Sequence, residues 1–281
     1  MTLTNLSEVR ELLTRHGFTF SKALGQNFIV NPTVCPRIAS EGGAADVGVI
    51  EIGPGIGTLT SALCEVAKKV VAVELDDRLP PILAETLAAY NNVTIVPGDA
   101  MEIDFAALIA EHFAGMQVVI CANLPYYITS PLLMRLLELR LPVESITVMV
   151  QKEAAERICA KPGTRECGAV SAAVWYYAEP KPLFNVSRGS FVPAPNVDSR
   201  VIRLDIRETP YPVADEKAFF RMVRAAFGQR RKTLANALAA GLPFDKTQIA
   251  AAIERAGLPP AVRAEALTME QLAALCEQLF A

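Results

Sequence analysis

Between residues 48 and about 160, short apolar runs alternate regularly with stretches of helical periodicity, and this constrains the fold more than any other feature of the chain. Runs of four to six residues at 48–52, 70–74, 93–96, 118–122 and 145–150 have the length and β-branched content of buried strands. Between them, 58–68, 78–90 and 128–139 have helical spacing. Strand–helix alternation of this kind builds an α/β domain with a doubly wound, mostly parallel sheet. Two further runs, 169–177 and 199–206, fit strands that complete the sheet. The stretch Glu208-Thr209-Pro210-Tyr211-Pro212 then reads as a linker, because its prolines block both helix and ladder. Beyond it the pattern is helical throughout, at 216–227, 231–240, 245–256 and 268–280. The expected organisation is a catalytic domain over 1–208 and a small all-α domain over 209–281.

Open α/β sheets bind ligands at the carboxyl ends of their strands, so the residues at those ends carry the functional argument. Glu51-Ile52-Gly53-Pro54-Gly55-Ile56-Gly57-Thr58 joins the first strand to the first helix, and its glycines permit a tight turn and close backbone approach to a ligand. Glu74 ends the second strand, 21 residues after Gly53, where a carboxylate can accept from both hydroxyls of a ribose. Asp99 follows the third strand and can accept from an adenine amino group. A dinucleotide fingerprint requires glycines at its first, third and sixth positions. Here the third glycine comes one residue early and Thr58 takes the sixth position, which favours a mononucleoside without a pyrophosphate.

The fourth strand runs into Asn123-Leu124-Pro125-Tyr126. A carboxamide oxygen and a backbone carbonyl, from Leu124 or Pro125, can both accept from an exocyclic NH2, while a Tyr face can stack on a base. This chemistry suits an amino group on a planar nucleobase. Phe191, between Ser190 and Val192-Pro193, is a candidate for the opposite face of that base.

Charge supports a nucleic-acid partner only locally. Residues 1–150 hold 9 Lys+Arg and 16 Asp+Glu, whereas residues 181–232 hold 11 and 5. A local basic patch is what phosphate binding needs. Arg221, Arg224, Arg230, Arg231 and Lys232 form the candidate footprint, with Lys22 as an outlying candidate. The six cysteines include no C-x-x-C pair, and neither His16 nor His112 sits at zinc-ligand spacing or in a nucleophile motif, which argues against a metal site and against a hydrolase. No apolar run reaches membrane-spanning length and the first fifteen residues lack a signal-peptide core, so a cytoplasmic protein is expected. No heptad pattern stands out, and a monomer is expected.

Taken in order, Lys22-Ala23-Leu24-Gly25-Gln26-Asn27-Phe28, the 51–58 loop, Asn123–Tyr126, Ser190-Phe191-Val192-Pro193-Ala194-Pro195-Asn196-Val197-Asp198-Ser199 and Phe227-Gly228-Gln229-Arg230-Arg231-Lys232-Thr233-Leu234 closely resemble the ribosomal RNA adenine dimethyltransferase family, specifically its bacterial small-subunit members. The resemblance runs from about residue 20 to 270. It implies a Rossmann-like methyltransferase with a mostly parallel seven-stranded sheet and a helical C-terminal domain. It implies S-adenosylmethionine as methyl donor, no metal, and two adjacent adenosines in the hairpin near the 3′ end of 16S ribosomal RNA as substrate. The donor site so implied comprises Asn27, Ile29, Gly53, Gly55, Glu74, Asp99 and Asn123, with Ile29 standing where Leu is usual. Catalytic roles fall to Asn123, Leu124, Pro125, Tyr126 and Phe191.

The segment 16–31 is expected over the donor pocket, with Phe18, Phe20 and Phe28 serving either that cover or the core. The loop Arg165-Glu166-Cys167-Gly168-Ala169-Val170 departs from the family, which commonly has an aromatic at the Cys167 position, so no RNA contact is assigned to it. Three rival readings remain at this point: a related enzyme acting on 23S RNA, a non-enzymatic ribosome assembly factor on the same fold, and a nicotinamide dehydrogenase.

Overall fold

The structure is a computed structural model and describes residues 2–21 and 24–280. The chain begins with α1 (Leu6–Arg15), the short β1 (Phe28–Ile29) and α2 (Val34–Glu41). Strands and helices then alternate: β2 (Gly48–Ile52), α3 (Thr58–Cys64), β3 (Lys69–Glu74), α4 (Pro80–Thr86), β4 (Val93–Pro97), α5 (Phe105–His112), β5 (Val118–Asn123), α6 (Thr129–Glu138) and β6 (Ser145–Gln151). Next come α7 (Lys152–Cys159), α8 (Ala169–Tyr177), β7 (Ala178–Val186), β8 (Phe191–Val192) and β9 (Ser199–Ile206). Four helices close the chain: α9 (Glu216–Phe227), α10 (Leu234–Gly241), α11 (Lys246–Arg255) and α12 (Met269–Phe280).

Seven strands form one sheet in the order β4-β3-β2-β5-β6-β9-β7. The pairs β2–β3, β3–β4, β2–β5 and β5–β6 are parallel, and β9 is antiparallel to β6. The central strand β2 is buried at every residue, which is why its sequence is continuously apolar except for Glu51. From β2 the chain winds outward through β3 and β4, then returns to β5 on the other side. The crevice between β2 and β5 is therefore the topological switch point of the sheet.

One expected strand is wrong. Residues 169–177 form α8, opened where the Ser171 hydroxyl accepts from the Gly168 N–H at 3.0 Å and held by Trp175 Nε1 donating to the Ala160 carbonyl at 3.0 Å. A nine-residue run of Ala, Val and aromatics has no period that separates a buried helix from a strand. The seventh strand is β7 instead, hidden by Pro180 and Pro182; it lies at the sheet's edge, where a missing N–H is tolerated.

Two compact units emerge: Met1–Ala155 with Lys181–Ile206, and Glu156–Pro180 with Arg207–Ala281. These do not follow the division at 208 expected from the prolines, because residues 156–180 group with the C-terminal helices. The reason is aromatic: Tyr176 stacks on Phe219 at 5.2 Å and Tyr177 on Phe220 at 5.5 Å, and Tyr177 Oη donates to Glu216 at 2.7 Å. The proline-rich stretch 208–212 is irregular, yet it is pinned to its own unit by Tyr211 Oη donating to Glu270 at 2.7 Å.

Candidate active site

Parallel register sets the site. Ile52 pairs with both Val73 and Ala122, so Gly53, Glu74 and Asn123 lie in one row at the carboxyl edge, with Asp99 just past the end of β4. Side chains alternate faces along a strand, and Glu51, Glu74 and Asn123 share one face of the sheet. Together with the segment 24–29 they line a cleft of about 1040 Å³, open mouth included.

The floor of the cleft is the turn after β2. Gly53, Gly55 and Gly57 have φ of +71°, +60° and +89°, a region costly for any residue with a Cβ. The three are not equivalent. A Cβ on Gly55 would meet the Phe28 ring at 3.1 Å, and one on Gly57 would meet Thr86, whereas a Cβ on Gly53 would meet nothing within 4 Å. The space above Gly53 is thus open for close approach of a ligand.

Glu74 is oriented by two backbone donors, the Asp76 N–H to Oε1 at 2.8 Å and the Gly55 N–H to Oε2 at 3.3 Å. Burial raises its pKa, and those two donors work in the opposite direction. Asp76 in turn ties the amino-terminal segment to the strand end: Gln26 Nε2 donates to Oδ2 at 2.7 Å, and Arg78 reaches both oxygens. The hydrogen bonds from Arg78 are the largest influence holding the Asp76 carboxyl below its ordinary range. Arg78 also donates to the Thr19 carbonyl at 3.2 Å and lies over the Phe18 ring. Phe18 and Phe20 are core residues that do not line the cleft, while Phe28 does both.

At the end of β5, Asn123 Nδ2 donates to the Asn27 carbonyl at 3.2 Å. This fixes the amide so that Oδ1 is the acceptor left over, and no described residue donates to it. The Pro125 carbonyl is already engaged by the Ile128 N–H and the Thr129 hydroxyl, each at 3.2 Å. Of the two expected backbone acceptors, only that of Leu124 is therefore without a donor among the described residues. Leu124 is 2% exposed and is not among the residues lining the cleft, so its carbonyl stays a candidate on its lack of a donor alone.

Tyr126 is half-buried, and its hydroxyl shares a 2.9 Å hydrogen bond with Ser199 Oγ; burial raises its pKa. Phe191 lines the cleft but is 3% exposed and belongs to the core cluster behind it. It arrives there through a two-stranded sheet in which β8 pairs antiparallel with β1, Ile29 opposite Phe191.

The structure thus gathers Asn27, Ile29, Gly53, Gly55, Glu74, Asp99, Asn123, Pro125, Tyr126 and Phe191 around one cleft. The basic candidates lie in the other unit. Arg221 and Arg224 are exposed on α9, with Arg221 over the Phe280 ring at 5.3 Å. Arg230, Arg231 and Lys232 are exposed in the loop that follows, and Arg230 Nη2 donates to the Arg165 carbonyl at 3.0 Å. Cys167, in the divergent loop, is fully buried. Lys22 lies outside the described residues.

Two cleft residues escaped the sequence reading. Tyr127 is 57% exposed and lines the cleft beside Gly25, where an added Cβ would lie 3.5 Å from its ring. Nothing in the spacing separates it from Tyr126. Glu51 is 1% exposed, and neither carboxyl oxygen has a partner; the Thr60 hydroxyl lies near enough to act on it, but not in hydrogen-bonding geometry. Burial pushes its pKa up to about 8. An acid inside an apolar strand was the available signal.

Glu51 makes a testable pH dependence. The folded protein holds this proton up to about pH 8, whereas an unperturbed Glu loses it near 4.5. Unfolding in that window releases a proton, so stability falls as pH rises through it, by up to about 1.4 kcal/mol per pH unit. Glu51→Gln is expected to flatten the decline of Tm across the window, as measured by scanning calorimetry. Parallel Tm curves for the two proteins would refute the burial of an ionisable proton there.

Among the described residues, no cluster of three or more His, Cys, Asp or Glu is placed to hold a metal, and no helix is long and apolar enough to cross a membrane.

The model of the family described as ribosomal RNA adenine dimethylase matches residues 17–279. The chain is 50% identical to the Ribosomal RNA small subunit methyltransferase A of Geobacillus thermodenitrificans, covering 96% of this chain and 94% of that one. It is 48% identical to the protein of the same name from Anoxybacillus flavithermus, covering 98% and 95%. Among solved structures it is similar to the 23S rRNA methyltransferase ErmE, with a TM-score of 0.69 and 27% identity over 90% of this chain and 99% of that one. It is also similar to a dimethyladenosine transferase from Plasmodium falciparum, with a TM-score of 0.73 and 25% identity over 88% and 95%.

Proposed function

The chain belongs to the ribosomal RNA adenine dimethylase family, and from that premise we propose that it dimethylates N6 of two adjacent adenosines in the 3′-terminal hairpin of 16S ribosomal RNA, within the small subunit, using S-adenosylmethionine. The observation that carries this reading is Asn123, whose amide is held by the Asn27 carbonyl so that Oδ1 remains to accept from an amine.

The cleft residues fit such a donor. The open space above Gly53 admits its chain, Glu74 can accept from ribose hydroxyls, and Asp99 can accept from an adenine amine; Asn27, Ile29 and Gly55 complete the surround. When bound, S-adenosylmethionine supplies an electrophilic methyl on a sulfonium. The protein's part is to present the acceptor. An adenine amine is a poor nucleophile because its lone pair is delocalised into the ring. Asn123 Oδ1 and the Leu124 carbonyl, accepting from its two N–H groups, make that pair more available and aim it. Tyr126 stacks on the extruded base, with Phe191 at its other side. Stacking is worth roughly 1–3 kcal/mol per base, comparable with the few kcal/mol needed to unstack it. Positioning the reacting atoms supplies much of the remaining acceleration. Arg221, Arg224, Arg230, Arg231 and Lys232 serve as contacts to RNA phosphate.

Identity favours the small subunit over the 23S alternative. The relatives at 48–50% carry the small-subunit name, against 27% for ErmE. The test is labelled methyl transfer to under-methylated small subunits, with mapping of the products. Label confined to two adjacent adenosines near the 3′ end of 16S RNA is expected. Label in 23S RNA, or none, would overturn the reading.

A further inference from the structure

The catalytic unit has to receive a polyanion although it holds more Asp+Glu than Lys+Arg, and two cations at its acceptor edge stand out. In residues 181–206 and at the end of β6, Lys181 and Arg203 are committed to Asp205 at 2.8 and 2.6 Å, and Arg200 donates to Asn185 at 2.7 Å. That leaves Lys152 and Arg188, both exposed and neither within ion-pair distance of a carboxylate among the described residues.

Their placement is specific. The Lys152 N–H donates to the Asp198 carbonyl at 3.0 Å, and the Arg188 N–H donates to Asp198 Oδ1 at 3.0 Å, so one residue joins both backbones. The Arg188 side chain is steadied by Nη1 donating to the Asn196 carbonyl at 3.2 Å, leaving the rest of its fork for other acceptors. The next residue along β6, Gln151, pairs with Ser199, whose hydroxyl holds Tyr126. Arg188 itself lies three residues before Phe191. The two cations therefore lie, respectively, one residue along the chain from the strand end that meets Tyr126's partner and three residues from Phe191, without lining the cleft. Lys152 opens α7 beside Glu153, which supplies the acidic residue of the first turn.

We infer that Lys152 and Arg188 form a clamp for the phosphodiesters flanking the extruded nucleotide, an RNA-backbone site in the catalytic unit separate from the basic helix α9. The inference rests on the proposed RNA substrate. A flipped base rotates about its backbone, so its own phosphates stay at the mouth while the ring enters between Tyr126 and Phe191. Phosphate contacts fix register and orientation without reading sequence, which is the role such a clamp plays for a target of two neighbouring bases.

The experiment measures binding of under-methylated small subunits to the full-length protein over a series of KCl concentrations, for wild type, K152Q, R188Q and the double variant, with donor affinity measured alongside. Each single variant is expected to bind about fivefold more weakly and to lower the salt slope by about 0.7, the double variant by about 1.4, with donor affinity unchanged. K152R and R188K are expected to retain the wild-type slope. An unchanged slope in the double variant would overturn the clamp while leaving the proposed function standing. Weaker binding without a change of slope would assign the pair to a protein contact and also overturn it. Failure of the wild type itself to methylate small subunits would instead overturn the proposed function.

Discussion

Asn123→Ala is expected to lower the rate of methyl transfer by about 10²–10³ while leaving the protein folded. That is the usual cost of removing one preorganised polar group from the reacting centre. The expectation follows from the division of labour within the amide. Nδ2 is spent on the Asn27 carbonyl at 3.2 Å, and Oδ1 is the atom we propose accepts from a substrate amine. Asn123 is half-buried, so its loss leaves one carbonyl short of a partner, at about 1 kcal/mol of stability. Asn123→Asp separates the two jobs, since a carboxylate still accepts from the amine but cannot donate to Asn27. It is expected to fall between wild type and Ala. Single-turnover transfer with saturating donor, run beside a thermal melt, reads both quantities. Transfer within threefold of wild type by folded Asn123→Ala would remove the residue from the chemistry.

Gly53→Val is expected to weaken donor binding by about 10²-fold. The backbone sits at φ +71°, where a side chain costs about 1–2 kcal/mol of stability. The new methyls also project into the one part of the loop that meets nothing within 4 Å, which is the space a ligand needs. Gly55→Val makes the contrast: it carries a similar backbone cost at φ +60°, and its Cβ also runs into Phe28 at 3.1 Å, so its loss of fold stability is the larger of the two. Titration calorimetry with S-adenosylmethionine, together with Tm, distinguishes the two. Wild-type donor affinity in Gly53→Val would place the ligand elsewhere in the cleft.

Most of the sheet was legible because its strands are apolar and β-branched and its turns carry glycine. Glycine spacing and the polar residues at three strand ends then located the cleft. What was not legible came from elements whose composition contradicts their role. Pro180 and Pro182 disguise an edge strand, and an aromatic run that looks extended is the helix α8. That same run moved the unit boundary, because Tyr176 and Tyr177 pack on α9. Within the site, sequence spacing could name Asn123 but not which end of its amide is occupied. It could not rank Phe191, mostly core, against the exposed Tyr127, since the burial of Phe191 follows from the β1–β8 pairing and its place in the core.

That small pairing also constrains how the protein is made. The first helix and Phe28 pack against residues 56–87, but β1 gains its strand partner only at Val192 and Phe191, and the catalytic unit is interrupted by residues 156–180. During vectorial synthesis that pairing must wait until two-thirds of the polypeptide has emerged. No nascent fragment shorter than that can assemble both walls of the cleft, so a truncated translation product has no route to activity.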